Sequence, residues 1–163
     1  MNPTTANTKN QVQDEQLQLV SFGVNNEQYA VDILRVQEIN RMMTITQVPQ
    51  SPDGVEGVIN LRGRIIPIMD LRVRFGMPRS ERTDESRIVV VEAGGAIVGF
   101  IVDKVHEVLR IGRSTVDPAP AMSSTVESRY IQGVAKLENR LIILLDLDAL
   151  LGDHAENQVR AAA

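Results

Sequence analysis

The chain has 163 residues, 43% hydrophobic, 23% charged and 3% aromatic, with no Cys, no Trp and a formal net charge of -4. That size fits one soluble domain or two small ones, and the absence of thiols excludes a disulfide framework and a Cys-based zinc site. With 21 acidic against 17 basic side chains, and only His106 and His154 as imidazoles, neither a field for a phosphate backbone nor a His metal cluster is expected.

Residues 1–16 are rich in Asn, Thr, Gln and acids, without the basic start and apolar core of an export signal, and read as a polar tail. The folded part is expected over 17–152, with a second tail over 153–163. Strands are predicted at Leu17 to Val24, Gln28 to Val31, Val58 to Leu61, Ile65 to Asp70, Ile88 to Glu92, Ala96 to Val102 and Leu141 to Leu145, each a short Val/Ile/Leu-rich run bounded by turn residues. Asn25-Asn26, Arg62-Gly63, Gly94-Gly95 and Glu138-Asn139 are predicted to supply the positive φ angles of two-residue hairpin turns. Asp70 and Asp146 follow apolar strands and are expected to cap single short helical turns, which Gly76 and Gly152 then end. No run approaches the roughly 20 apolar residues of a spanning helix, the longest weakly polar stretch being Ala93 to Val102.

Arg79 to Ser86 has no apolar side chain and divides the chain into halves, about 17–75 and 87–152. The halves repeat each other. At an offset of about 69 residues, Leu19-Val20 falls on Ile88-Val89, Asn25-Asn26 on Gly94-Gly95, and Arg35-Val36-Gln37-Glu38-Ile39 on Lys104-Val105-His106-Glu107-Val108. Farther on, Gly57 to Gly76 lies over Gly133 to Gly152, sharing Gly, Val, Leu, Arg, Asp and the closing Gly; the longer loop between Leu109 and Ile131 absorbs the change of offset. Short strands, scarce helix and two equivalent halves predict an all-β fold of two small antiparallel barrels packed side by side, with a few short helices.

No catalytic constellation emerges. There is no phosphate-loop motif, no serine elbow and no carboxylate pair outside the capping positions, and His106 reads as an exposed strand residue. No cofactor and no metal are expected. A nucleic-acid barrel of the OB type would need stacking aromatics in a basic groove, and Phe22, Tyr29, Phe75, Phe100 and Tyr130 fall mainly at apolar strand positions. An interaction module remains. Its cations are mostly Arg, 14 against 3 Lys, a residue suited to partly desolvated pairing, and Arg62 and Arg64 sit at a hairpin tip where an acidic partner can be met or where they are simply solvated.

Several motifs in one order carry a resemblance over Leu17 to Leu151. They are Y-A-V-D-I-L-R-V-Q-E-I (29–39), the N-L-R-G-R-I-I-P-I-M-D-L-R within Gly57 to Arg72, V-G-F-I-V-D-K-V-H-E-V (98–108), D-P-A-P (117–120) and the closing L-I-I-L-L-D-L-D-A-L-L. In these the chain resembles the CheW adaptors of bacterial chemotaxis. The resemblance implies two interlocked five-stranded antiparallel barrels, SH3-like or OB-like, no enzymatic activity, and a cytoplasmic protein recruited to membrane-anchored receptor arrays. It implies two partners, the regulatory domain of the histidine kinase CheA and the cytoplasmic tip of methyl-accepting chemoreceptors, with other CheW-like domains as neighbours in array rings. Carried over, receptor contact falls to Val36, Glu38, Arg62, Val105 and Val108, and kinase contact to Gly57, Val31, Ile33 and Leu34, the last three being equally readable as core. A ring-closing contact of relatives maps to Asp117 and Met122, where the basic residue and Phe of that contact are absent. CheW-like adaptors also serve pilus motility and other chemosensory circuits, which these residues do not separate.

Overall fold

Short aliphatic runs joined by tight turns leave the chain little option but hairpins, and hairpins are what it forms. The computed structural model describes residues 14–50, 55–118 and 128–151. In chain order the strands are β1 (Gln16–Val24), β2 (Glu27–Asp32), β3 (Val36–Arg41), β4 (Val55–Leu61), β5 (Arg64–Asp70), β6 (Arg87–Ala93), β7 (Ala96–Val102), β8 (Lys104–Gly112), β9 (Val116–Asp117), β10 (Ile131–Leu137) and β11 (Arg140–Leu145). Among the described residues, helical turns are confined to α1 (Leu71–Arg74), α2 at 147–151, and three single 3-10 turns at Ile33–Arg35, Arg113–Thr115 and Ser128–Tyr130. β3, β8, β9 and β10 add to the strands expected, because interleaved charges in V-Q-E-I-N-R and K-V-H-E-V-L-R-I-G mask their apolar alternation.

The hairpin turns at Asn25-Asn26, Arg62-Gly63 and Gly94-Gly95 have both residues at positive φ, as expected. The turn at 138–139 does not. It is also two residues long, but neither Glu138 nor Asn139 has positive φ, so this hairpin closes without left-handed backbone. Asp70 and Asp146 cap their helical turns as predicted, accepting from the Arg72 and Ala149 N–H groups at 2.9 and 3.1 Å. Gly76, at φ 74°, ends α1; Gly152 lies outside the described residues, as do Met122 and most of both tails.

The strands assemble into two sheets, one ordered β8-β1-β2-β11-β10-β9 and the other β3-β6-β7-β5-β4. The barrels do not coincide with the halves. Each sheet takes the leading hairpin of one half, β1-β2 or β6-β7, and inserts it among the later strands of the other. Parallel ladders stitch the insertion, Ile143 beside Tyr29 in one sheet and Met69 beside Phe100 in the other, so pairing is antiparallel everywhere else. A right-handed twist curls each sheet until its ends meet. In one, the chain leaving β3 returns to pair Thr46 with Val58 of β4 by two backbone hydrogen bonds of 2.8 and 2.9 Å. In the other, β8 runs through Arg113–Thr115 into β9, which pairs Asp117 with Val134 of β10.

Two glycines make room for these closures. A Cβ on Gly57 would drive into the Thr46 carbonyl oxygen, and one on Gly133 would sit 2.9 Å from that of Asp117. Gly57→Ala is therefore expected to cost at least about 2 kcal/mol of stability by overpacking, read as a lower urea midpoint with an unchanged slope.

Three apolar clusters result. Two are the barrel interiors, around Ile142 and Leu144 in one and around Ile66, Ile68 and Ile88 in the other. The third and largest lies between the barrels and draws on both halves, including Phe22, Tyr29, Phe75, Phe100, Leu145 and Leu150. Within it Phe22 packs on Tyr29 and Phe100, with ring centroids 6.1 and 5.4 Å apart. The buried Tyr29 hydroxyl donates to Glu27 at 2.8 Å, and burial together with that carboxylate pushes its phenol well above the usual range.

Two ion pairs lock the arrangement at equivalent places with opposite polarity. Arg72 on α1 makes a bidentate pair with Asp103 at the end of β7, at 2.6 and 3.0 Å, and the Asn25 N–H adds a bond of 2.8 Å to the carboxylate. On the other side the acid is on the helix: Asp148 of α2 takes a bidentate pair from Arg35, at 2.8 and 3.1 Å, and a bond from the Gly94 N–H at 3.1 Å. Burial raises the Asp103 carboxyl, but Arg72, the Asn25 N–H and the charge of Arg82 outweigh it and hold it below the usual carboxylate range. The Gly94 N–H, then Arg35, lower Asp148 in the same direction. Carboxyls lowered by folding contribute stability above their unfolded value of about 3.9 and lose it as pH falls through the folded value. Thermal unfolding followed below about pH 4 should therefore steepen with acid, and the Asp103→Asn, Asp148→Asn double variant should flatten that dependence while lowering stability at neutral pH.

Candidate docking surfaces

Among the described residues no cluster of three or more His, Asp or Glu side chains is arranged to hold a metal. All five aromatic rings, Phe22, Tyr29, Phe75, Phe100 and Tyr130, are buried, so none offers a face for stacking a base. The chemically distinctive surface lies on the edge strands β3 and β8.

Each carries the same local device. β3 shifts register against β6 between Val36 and Glu38, and β8 shifts against β1 between Val105 and Val108, leaving Gln37 and His106 at equivalent irregularities. Opposite the second shift the buried Ser21 hydroxyl bonds both the carbonyl and the N–H of Glu107, at 2.9 and 3.2 Å. Val36 and Ile39 stand opposite Val91 and Val89, and Val105 and Val108 opposite Phe22 and Val20. All four partners belong to the central cluster. Four aliphatic side chains, two from each half, therefore line the seam between the barrels. Val36 and Val105 are half-buried, whereas Ile39 and Val108 are 38% and 55% exposed.

Beside the seam, Arg62 at the β4-β5 turn makes a bidentate pair with Glu38 at 2.7 and 3.1 Å. The bonds from Arg62, then Asn40, hold the Glu38 carboxyl below the usual range. Arg62 and Glu38 thus meet each other, while Arg64 stays in solvent.

The structure brings the five residues expected to face the receptor into one region, but divides the kinase set. Val31 is 1% exposed and belongs to the central core, because its place on β2 turns it toward that cluster; it is not a surface residue. Ile33 is half-buried against the same core, and Gly57 is buried at the barrel closure. Leu34 alone projects, 85% exposed, from the 3-10 turn whose Asp32 cap holds its N–H at 2.9 Å. It borders a groove of about 620 Å³ over Leu17, Leu19, Ile33, Val116 and Leu144. Sequence reasoning missed Ile39, whose match to Val108 in the repeat already pointed to it, and the pair Glu107–Arg140 at 2.6 Å, whose cation lies two positions beyond the place equivalent to Arg62.

A CheW-like domain model matches residues 18–155. The chain belongs to the CheW-like family. It is similar to the chemotaxis protein CheW of Klebsiella aerogenes, 38% identical over 130 residues, covering 80% of this chain and 78% of that protein. It is also similar to the chemotaxis protein CheW of Helicobacter pylori, 33% identical over 147 residues, covering 90% and 88%. Among solved structures it matches the scaffolding protein CheW of Thermoanaerobacter tengcongensis with a TM-score of 0.78 at 38% identity, covering 84% of this chain and 88% of that one. The CheW fold of two interlocked barrels expected from the motifs is the fold observed, and with it the reading as a chemotaxis adaptor of the scaffold type. No helix among the described residues is long and apolar enough to cross a membrane.

Proposed function

We propose that this chain is a non-enzymatic coupling protein that joins methyl-accepting chemoreceptors to the histidine kinase CheA in cytoplasmic arrays at the membrane. The observation that carries the reading is the seam, where aliphatic side chains from both halves stand half-exposed beside an ordered Arg–Glu pair. Exposed aliphatics rimmed by charge suit a protein partner and no small-molecule chemistry. The receptor tip takes this seam through Val36, Glu38, Arg62, Val105 and Val108. The kinase regulatory domain takes the separate groove beside Leu34, with Ile33 as its half-buried floor and Gly57 acting indirectly by keeping the neighbouring barrel closed. Coupling is then linkage: a receptor that changes its hold on the adaptor shifts the population of active kinase by its differential affinity for the two states.

Co-sedimentation with receptor-bearing membranes and with purified kinase tests both surfaces. Val36→Asp and Arg62→Glu should each weaken receptor capture about tenfold, the effect of losing about 1.4 kcal/mol of contact, and leave kinase capture unchanged. Leu34→Asp should do the reverse. Wild-type capture by all three variants would remove the reading, and salt-sensitive binding of single-stranded nucleic acid would replace it with another.

A further inference from the structure

The duplication has left the second barrel with a full copy of the charged site beside the seam. Equivalent residues fill equivalent roles: Val105 for Val36, Glu107 for Glu38, Val108 for Ile39 and Leu141 for Ile65. The register irregularity precedes the glutamate in both. An arginine from the hairpin across the barrel mouth pairs with that glutamate in both, Arg62 with Glu38 and Arg140 with Glu107 at 2.6 Å. Ile65 and Leu141, exposed at 66% and 61%, stand just past those two hairpins. The exposed aliphatic recurs at matched positions, and the pairing role that Arg62 plays in the first copy falls in the second to Arg140, the counterpart of Arg64.

We infer that Glu107, Arg140 and Leu141 form a second contact for the receptor partner, which extends its hold on the second barrel beyond Val105 and Val108. This inference rests on the receptor reading of the seam. The occupant is fixed by continuity, because Glu107 lies between Val105 and Val108 on the same strand and those two residues already belong to the seam. It is fixed also by chemistry. Arg140 spends one donor on Glu107 and one on Gln28 at 3.3 Å, and a guanidinium carries five. Next to it a groove of about 640 Å³ runs over Leu141, Ile143, Val134 and Ile131. The partner segment is therefore one that presents an aliphatic residue to this floor and a carboxylate to Arg140.

The test uses the full chain in three variants, Leu141→Asp, Arg140→Glu, and the exchanged pair Glu107→Arg with Arg140→Glu, alongside Arg62→Glu. Receptor-bearing membranes, purified kinase and thermal unfolding supply the readouts. Leu141→Asp should lower receptor capture about tenfold at unchanged melting temperature and unchanged kinase capture. Arg140→Glu should lower both receptor capture and melting temperature. The exchanged pair should regain the melting temperature of the unaltered chain but not its receptor capture, since a clasp needs only opposite charges whereas a partner needs them in place. Full receptor capture by Leu141→Asp and by the exchanged pair, with Arg62→Glu still defective, overturns the second contact and leaves the seam intact. Loss of kinase capture in place of receptor capture also overturns it. If Arg62→Glu and Val36→Asp bind receptor normally too, the receptor reading fails and takes the inference with it.

Discussion

Cut between residues 80 and 81, the chain should yield two fragments that are each unfolded alone and that fold on mixing. The polar segment 79–86 contains no strand, so the cut breaks no ladder. What each fragment lacks is the other's leading hairpin: without β6-β7 the first half has no partner for β3 or for the parallel edge of β5, and without β1-β2 the second half cannot join β8 to β11. The largest apolar cluster would also be split, with Phe22 and Tyr29 on one side and Phe100 and Leu145 on the other. Halves of such length bury too little apolar surface to fold unaided when their main core is shared. Circular dichroism should show coil for each fragment and a strand spectrum for the mixture, with one cooperative unfolding transition. A cooperative transition in either fragment alone would show that a half is a domain, and the exchanged topology would then not govern folding.

Truncating Phe22 should be the most damaging single change. The ring is fully buried, touches Tyr29 and Phe100, and lies where strands of both halves meet. Phe22→Ala should cost about 3–5 kcal/mol, a large share of the roughly 5–15 kcal/mol available to such a domain. Because the cluster is common to both barrels, hydrogen exchange should accelerate together in β10-β11 and in β4-β5. Ile142→Ala, inside one barrel, should by contrast loosen β10-β11 first. Acceleration confined to β1 and its neighbours in the Phe22 variant would show that the barrels unfold independently.

Much of this was legible in the sequence, and the reasons differ by feature. Asn25-Asn26 and Gly94-Gly95 announce their turns because positive φ is a local demand met by few residues. Asp70 and Asp146 announce their caps because the free N–H groups of a helix start lie within reach of one side chain. The pairing of β5 with β7, or the choice of Glu38 by Arg62, is settled by long-range closure, which no window of sequence contains. Val31 shows the same limit from the other side. Its aliphatic side chain reads equally as core or as docking surface, and only the position of β2 between β1 and β11 decides for core. Arg140 was hidden for a further reason: the repeat sets it over Arg64, which stays in solvent, and sets Glu138 over Arg62, so the pairing role passes from one hairpin arginine to the other and the alignment does not show it.

The inverted clamps bear on the history and fidelity of the molecule. Two first halves brought together in this geometry would aim Arg72 at Arg35, cation toward cation, with Leu34 where Asp103 now stands; two second halves would set Asp148 beside Lys104, the counterpart of Arg35, as well as beside Asp103. The first half thus rejects its own kind and accepts its sibling, whereas the second offers Asp148 both an acid and a cation. A homodimer of first halves is in this way closed off by charge, and the leading half keeps its arginines satisfied only in the company of the trailing one.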